Sequence, residues 1–191
     1  MRPVPITLLI ACLLAASTPA TAQLDTDPGG IGIYFDPGAT VVTAGGAGGD
    51  VIDAYLIGTR LASSGDIASW QATIAWSQGA DVYGSPNGSY NYWTNMPGGT
   101  QWTFLALYEA AGLPAGSITL LATLQVHVLD GTVPIDLYVG DGGYYRLLPD
   151  SDEIPLHPSS GGTDLPVAVI NGAAPVPATA ATLGAVKALY R

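Results

Sequence analysis

Two long segments alternate apolar and polar residues with a period of two, and this pattern most limits what the chain can fold into. The first is "IASWQATIAW", in which one face carries Ala68, Trp70, Ala72, Ile74 and Trp76 and the other carries Ser69, Gln71 and Thr73. The second is "TLLATLQVHVLD", which sets Leu120, Ala122, Leu124, Val126 and Val128 against Thr119, Thr123, Gln125 and His127. A helical stripe would repeat every three or four residues instead. The alternation predicts strands with one buried and one solvated face.

Other segments extend the same pattern. "QWTFLALYE" aligns Trp102, Phe104, Ala106 and Tyr108, and "PIDLYVG" aligns Ile135, Leu137 and Val139. Shorter strands are predicted at 31–35, 51–61 and 167–170, and Trp70, Trp76 and Trp102 are expected in the core. The sequence therefore predicts an all-β fold, an antiparallel β-sandwich with one core between two sheets.

Glycine-containing segments punctuate these strands. Asn87-Gly88 and Asp130-Gly131 are predicted hairpin turns, because both residue types tolerate positive φ. The glycine-rich stretch 43–50 is interpreted as a flexible link, and 149–166 as a long polar loop with little regular structure.

Both ends of the chain differ from this β-domain. Residues 1–22 combine Arg2, an apolar run and the small residues Ala20-Thr21-Ala22, which predicts a secretory signal peptide cleaved before Gln23. A periplasmic location and a lipoprotein anchored through Cys12 are the alternatives. Residues 23–175 are assigned to the β-sandwich, and 176–191 to a tail with a short C-terminal helix in "ATLGAVKALYR".

Charge limits the partners that we expect. The net charge is −10, with 5 basic against 15 acidic residues, and such a field repels nucleic acid and anionic lipid surfaces. No segment after the leader approaches the length of a membrane span. Removing the leader also removes Cys12, which is the single cysteine, so stability must come from burial and strand pairing.

Three aspartates, Asp130, Asp136 and Asp141, lie within "VHVLDGTVPIDLYVGDGGYY" and raise the question of catalysis. Asp136 and Asp141 are about 16 Å apart along an extended strand, whereas the paired carboxyls of a glycosidase lie about 5–10 Å apart. We therefore interpret all three as structural residues that solvate the ends of strands and stabilise turns.

The histidines and the remaining acids indicate little chemistry. His127 lies on the polar face of its strand and His157 in the long loop, and neither accompanies a nucleophile motif or a zinc signature. A weak calcium site built from Asp150, Asp152 and Glu153 is the one metal hypothesis, because calcium prefers carboxylate oxygens. We expect no catalytic residue and no other cofactor.

An aromatic-rich stretch, predicted as a loop over 81–99, is the candidate ligand site. Rings stack on sugar faces and amides bind hydroxyl groups, so this loop suits a glycan. The candidate residues are Tyr83, Tyr90, Tyr92 and Trp93. The alternative is that the tyrosines fold over the sandwich edge and cap its core.

The order of these elements resembles that of a cohesin module over roughly residues 31–141. The similar segments are "IGIYFDPGATV", "VIDAYLIGTRLASSGDIASWQATIAW" and "GSITLLATLQVHVLDGTVPIDLYVGD". The resemblance implies a nine-stranded jelly-roll sandwich and a non-catalytic role in extracellular assembly. The surface positions by which cohesins recognise dockerins are not matched here, and carbohydrate-binding modules share the architecture.

These observations favour a secreted, non-enzymatic module for adhesion or scaffolding that binds an extracellular protein. The strand face of Thr119, Thr123, Gln125 and His127 is one available surface, and edge pairing would support homotypic assembly. The alternative function is a carbohydrate-binding module that holds a polysaccharide through 81–99.

Overall fold

The structure, a computed structural model, describes residues 28–61, 65–97, 99–108, 111–149 and 152–175, and these contain strands and no helix. Within them, nine strands have four or more residues. In chain order the strands are Gly30–Tyr34 (β1), Thr43–Ala44 (β2), Val51–Thr59 (β3), Asp66–Trp76 (β4), Ala80–Pro86 (β5), Tyr90–Pro97 (β6), Gln101–Tyr108 (β7), Leu113–Pro114 (β8), Ile118–Val128 (β9), Ile135–Val139 (β10), Tyr144–Leu147 (β11), Ile154–Pro155 (β12), His157–Pro158 (β13) and Ala168–Ile170 (β14).

The strands form two sheets. The front sheet has the order β13-β1-β3-β9-β5, and the back sheet has the order β12-β11-β4-β10-β14-β2, with β7, β6 and β8 joined through β4. Most pairs are antiparallel, as predicted, but β1 pairs with β13 and β14 with β2 in parallel. The alternation within a strand indicates which of its faces is buried, but it does not indicate which strand is its hydrogen-bonded neighbour. The sequence therefore does not reveal these parallel pairs.

One apolar core fills the space between the sheets. The predicted inward faces meet there, and Trp70, Leu124 and Leu137 belong to the same buried cluster. Trp70 is fully buried and donates a hydrogen bond from Nε1 to the hydroxyl of Tyr108 at 2.9 Å. Burial raises the pKa of Tyr108, although the hydrogen bond from Trp70 acts in the opposite direction. The β-sandwich prediction is confirmed.

Two bulges shift the predicted alternation by one residue. Where β11 pairs with β4, Arg146 lies opposite Ser69 and Leu147 lies opposite Ile67. Ala68 is therefore the extra residue of β4, and Ile67 faces inward in its place. In β9, Leu121 is the extra residue. Leu120 therefore faces outward and Thr119 is buried, where its Oγ1 accepts a hydrogen bond from Gly116 N at 2.9 Å. The predicted places of Ala68, Thr119 and Leu120 are wrong, because a bulge reverses the faces beyond it.

The two predicted hairpin turns and the Asp141 segment have other roles. Asn87-Gly88 joins β5 to β6, and Asp130-Gly131 joins β9 to β10, and in each case the two strands lie in different sheets. Both segments are therefore crossovers between sheets and not hairpins. Both β10 and β11 pair with β4, and the residues 140–143 between them lie opposite only residues 72 and 73 of β4. Asp141 therefore lies in a bulge and not in a turn.

The two predicted irregular segments are more ordered than expected. Gly46 donates from its N–H to the Asn171 side chain at 2.9 Å, and Gly49 donates to the carbonyl of Val128 at 2.7 Å, so the glycine-rich link is held in place. The predicted polar loop contains β12 and β13. Side-chain and backbone hydrogen bonds supply the order that composition does not show.

Several predictions concern residues outside the described ranges. These are the signal peptide 1–22, the alternative role of Cys12 and the C-terminal helix within 176–191. Among the described residues there is no helix with the length and apolar character that a membrane crossing requires.

Asp36 closes the turn between β1 and β2. Its carboxylate accepts hydrogen bonds from the N–H groups of Gly38, Thr40 and Val41 and from the Thr40 hydroxyl, at 3.1, 2.8, 2.6 and 3.0 Å. Partial burial raises the pKa of Asp36, but these bonds outweigh it and leave the pKa below the ordinary value of 3.8. The ionised carboxylate therefore stabilises the turn.

We expect the Asp36 contribution to stability to disappear in acid. The pKa is lowered in the folded state, so the contribution is complete above pH 3.8 and is lost as the pH falls through the folded-state pKa. Asp36→Ala should lower the free energy of unfolding by about 1 kcal/mol at neutral pH, since the turn is half exposed. Urea titrations across the acid range measure this, and a constant difference between the two chains down to the lowest pH would contradict it.

Candidate functional site: two solvent-facing sheet surfaces

The three aspartates of 126–145 do not meet in a cleft. Asp130 accepts hydrogen bonds from the Thr132 hydroxyl and N–H at 2.6 and 2.8 Å, and these bonds lower its pKa. Asp136 accepts a bond from the Tyr138 hydroxyl at 3.4 Å. Partial burial and the charge of Asp136 raise the pKa of Tyr138. Asp141 is exposed in the bulge, so Asp130 and Asp136 have local structural contacts and Asp141 faces solvent.

The calcium hypothesis gains no support from the described residues. In those ranges no group of three or more His, Cys, Asp or Glu residues lies close enough to hold a metal ion. Glu153 instead forms an exposed ion pair with Arg146 at 2.8 Å, and Asp152 is exposed. Asp150 lies outside the described residues. The site stays a prediction.

The aromatic stretch 81–99 is not a loop, which corrects the sequence prediction. Tyr83 lies on β5 in the front sheet, and Tyr90, Tyr92 and Trp93 lie on β6 in the back sheet. The Trp93 ring stacks on the Phe104 ring with 5.1 Å between ring centroids, and its centroid lies 6.1 Å from that of Trp70. Trp93 therefore packs inward against the core and does not face solvent as part of a ligand platform.

The other candidate aromatics point elsewhere. Tyr92 lies on the opposite face of β6 from Trp93 and is 49% exposed. Tyr90 lies beyond a bulge in β6, where it pairs with Tyr108. The Tyr83 ring lies 4.9 Å from His127 and 5.5 Å from Trp102. The four rings thus occupy two sheets and both faces of β6, and the structure does not assemble them into one glycan platform.

On the outer side of the back sheet, β4, β7 and β6 together present a surface without charged side chains. Cross-strand pairs place Ser69 and Tyr92 on either side of Leu107, and Gln71 and Thr94 on either side of Leu105. We call this surface the back face, defined by Ser69, Gln71, Thr73, Ala75, Tyr92, Thr94, Gln101, Thr103, Leu105 and Leu107. None of these side chains is charged, although the chain carries 15 acids.

The back face combines exposed apolar groups with a fixed backbone. Tyr92 is 49% and Leu107 is 39% exposed, and the two residues are cross-strand partners. The hydroxyls of Thr73 and Thr103 share a hydrogen bond of 2.8 Å. At the rim of the back face, Arg146 on β11 pairs across the strands with Ser69 and carries its ion pair with Glu153. Depletion of charge around aromatic and apolar groups is typical of the centre of a protein interface.

The outer side of the front sheet has a different character. Three strands place Val51, His127 and Asp81 in one cross-strand row, with Asp53, Gln125 and Tyr83 in the next. Leu129 continues the outer row of β9, and its N–H donates to the Gly79 carbonyl at 2.8 Å. We call these seven residues the front patch. Leu129, Val51 and Tyr83 are 62%, 51% and 46% exposed.

A small second core covers another part of the front sheet's outer side. Tyr34, Ala39, Val42 and Ile57 are buried there, with Tyr55, Leu120 and Ala174 packed against them. The chain after β14 therefore returns over this face. Sequence reasoning identified Thr123, Gln125 and His127 as an exposed surface, but it missed Val51, Leu129 and the pairing of Tyr92 with Leu107.

Comparisons with known proteins identify the fold. No family model and no curated protein matches the chain. A similar solved structure is the sixth cohesin of scaffoldin B from Acetivibrio cellulolyticus, in complex with a mutant Cel5 dockerin, with a TM-score of 0.57 and 9% identity over 76% of this chain and 99% of that one. Another is the OlpA cohesin from Clostridium thermocellum in a type I cohesin–dockerin complex, with a TM-score of 0.52 and 12% identity over 68% and 94%.

The two-sheet arrangement with repeated crossovers makes the chain a jelly-roll β-sandwich. Within that class it has a cohesin-like fold, since its described strands superpose on nearly the whole length of these cohesins. The predicted resemblance and fold class are confirmed. Because the sequence identity is low, this similarity establishes the fold alone.

Proposed function

We propose that the chain is a non-catalytic binding module that docks an extracellular protein on the back face. The observation that carries this proposal is the uncharged surface around Tyr92 and Leu107 on a chain of net charge −10. The two similar structures support it, because each was solved with a bound dockerin. A dockerin-bearing protein is accordingly the partner that we would test first.

The geometry favours protein binding in two ways. Tyr92 and Leu107 form a paired apolar anchor, and buried aromatic and apolar anchors contribute most of the energy of protein interfaces. The back face lies on β4, β6 and β7, which are hydrogen-bonded strands, so little conformational entropy is lost when a partner binds. The threonine and glutamine side chains around the anchor offer hydrogen bonds at its rim.

Export through the leader 1–22 is part of the same proposal, because an extracellular partner requires an extracellular module. Polysaccharide binding receives no equivalent support, since the candidate rings are divided between the sheets and the similar structures are protein complexes. A homotypic contact through β6, which pairs only with β7 among the described strands, is a weaker candidate.

We expect substitutions of the anchor residues to weaken partner capture. Leu107→Lys and Tyr92→Ala should each weaken binding about tenfold or more, because each removes an interface anchor. The full chain is immobilised and exposed to the extracellular protein fraction of its source, retained proteins are identified by mass spectrometry, and their affinity is then measured by calorimetry. Melting curves check that both variants remain folded.

Val51→Lys on the opposite sheet is the matched control and should leave capture unchanged. A retained protein that is lost with Val51→Lys and kept with Leu107→Lys would contradict docking on the back face. Sedimentation of the chain with insoluble polysaccharide, abolished by Tyr92→Ala, would replace the proposal by the carbohydrate-binding alternative.

A further inference from the structure

We propose that the front patch is the docking site of the chain's own C-terminal segment, residues 176–191. The patch presents exposed apolar side chains surrounded by acids, and the segment carries apolar residues together with cations. This inference concerns the opposite sheet from the back face, so it does not depend on the proposed function.

Charge distribution is the first argument. Asp81 pairs across the strands with His127, and Asp53 pairs with Gln125. Neither Lys nor Arg occurs on the strands that form the patch. Two carboxylates, Asp53 and Asp81, on strands that carry no Lys or Arg favour an occupant with positive charge.

The composition of the C-terminal segment matches this requirement. It contains Lys187 and Arg191, which are two of the five cations of the chain, and no acid. Its apolar residues Leu183, Val186, Leu189 and Tyr190 are spaced three, three and one apart. The segment therefore combines positive charge with apolar groups that could cover the exposed side chains of Val51 and Leu129.

Position is the second argument. Ala174 packs on the cluster around Ile57, on the same outer side of the front sheet. Ile57 is separated from Val51 by six residues of β3, or about 20 Å. The chain from residue 175 to Leu183 spans up to about 26 Å when extended. The segment thus begins on the same side of the front sheet as the patch and has the length to reach it.

Solution NMR with a spin label tests the placement in the full chain. Cys12→Ser and Ala188→Cys give a single labelling site in the segment, and a nitroxide there broadens nearby methyl signals. We expect Val51 and Leu129 methyls to lose most of their intensity, and the Leu107 methyls on the back face to keep theirs. In about 1 M salt, where charges are screened beyond about 3 Å, the broadening should weaken.

Charge variants separate docking from chance proximity. Lys187→Glu with Arg191→Glu should restore the Val51 and Leu129 signals, whereas the control Thr179→Ser should not. Equal broadening of Leu107 and Val51, or none at either, would overturn the proposal. Broadening in a mixture of spin-labelled chain with isotope-labelled, spin-free chain would also overturn it, because the occupant would then be a second copy.

Discussion

Trp70→Ala is expected to lower the free energy of unfolding by about 3–5 kcal/mol, the range for removing a buried aromatic ring. The Trp70 ring is fully buried and contacts Trp93 at 6.1 Å, so its loss leaves a cavity between the sheets. It also removes the hydrogen bond to the buried Tyr108 hydroxyl. Because domains of this kind are stable by about 5–15 kcal/mol, a large fraction of the total disappears.

Urea denaturation followed by far-UV circular dichroism measures this change without relying on tryptophan fluorescence. Trp70→Phe keeps an aromatic ring and removes the Nε1 donor, so it should cost less, about 1–3 kcal/mol. Tyr92→Ala on the back face is the surface control and should stay within about 0.5 kcal/mol. A Trp70→Ala chain that unfolds at the urea concentration of Trp70→Phe would show that the ring contributes little beyond its hydrogen bond.

The sequence predicts the sandwich well because alternation reports burial directly. Trp70, Ala72, Ile74 and Trp76 lie inward as expected, since a strand cannot change face without a bulge. The errors occur where bulges lie. Ala68 and Leu121 are extra residues opposite partners far along the chain, and no local residue pattern announces them.

The candidate site was less accessible to sequence reasoning. Asn87-Gly88 permits positive φ, but a hairpin and a crossover between sheets use the same residues. The composition of 81–99 predicts one aromatic loop, but this stretch contains strands of two different sheets. The back face arises because Leu107 and Tyr92 become neighbours through β6–β7 pairing, and pairing is a property of the fold and not of either segment.

Asn171→Ala is the second substitution for which we expect a large loss, about 2–4 kcal/mol. Its side chain accepts a hydrogen bond from Gly46 N at 2.9 Å and donates to the carbonyls of Gly46 and Gly131 at 2.7 and 3.2 Å. These bonds tie the end of β14 to the glycine-rich segment and to the crossover after β9. Asn171 also has a φ of 58°, which Ala adopts less readily.

Asn171→Gly separates the two causes, because glycine accepts positive φ but has no side chain to bond. We expect it to recover about 1 kcal/mol relative to Asn171→Ala, with the remaining loss due to the hydrogen bonds. Urea titration gives both free energies, and hydrogen exchange at Gly46 N should accelerate in each variant. If Asn171→Gly were as stable as the natural chain and Gly46 exchanged no faster, the side-chain bonds would not be what holds the 45–50 segment against β14. Order in that segment would then have to come from the backbone bonds of Gly49 and Val128.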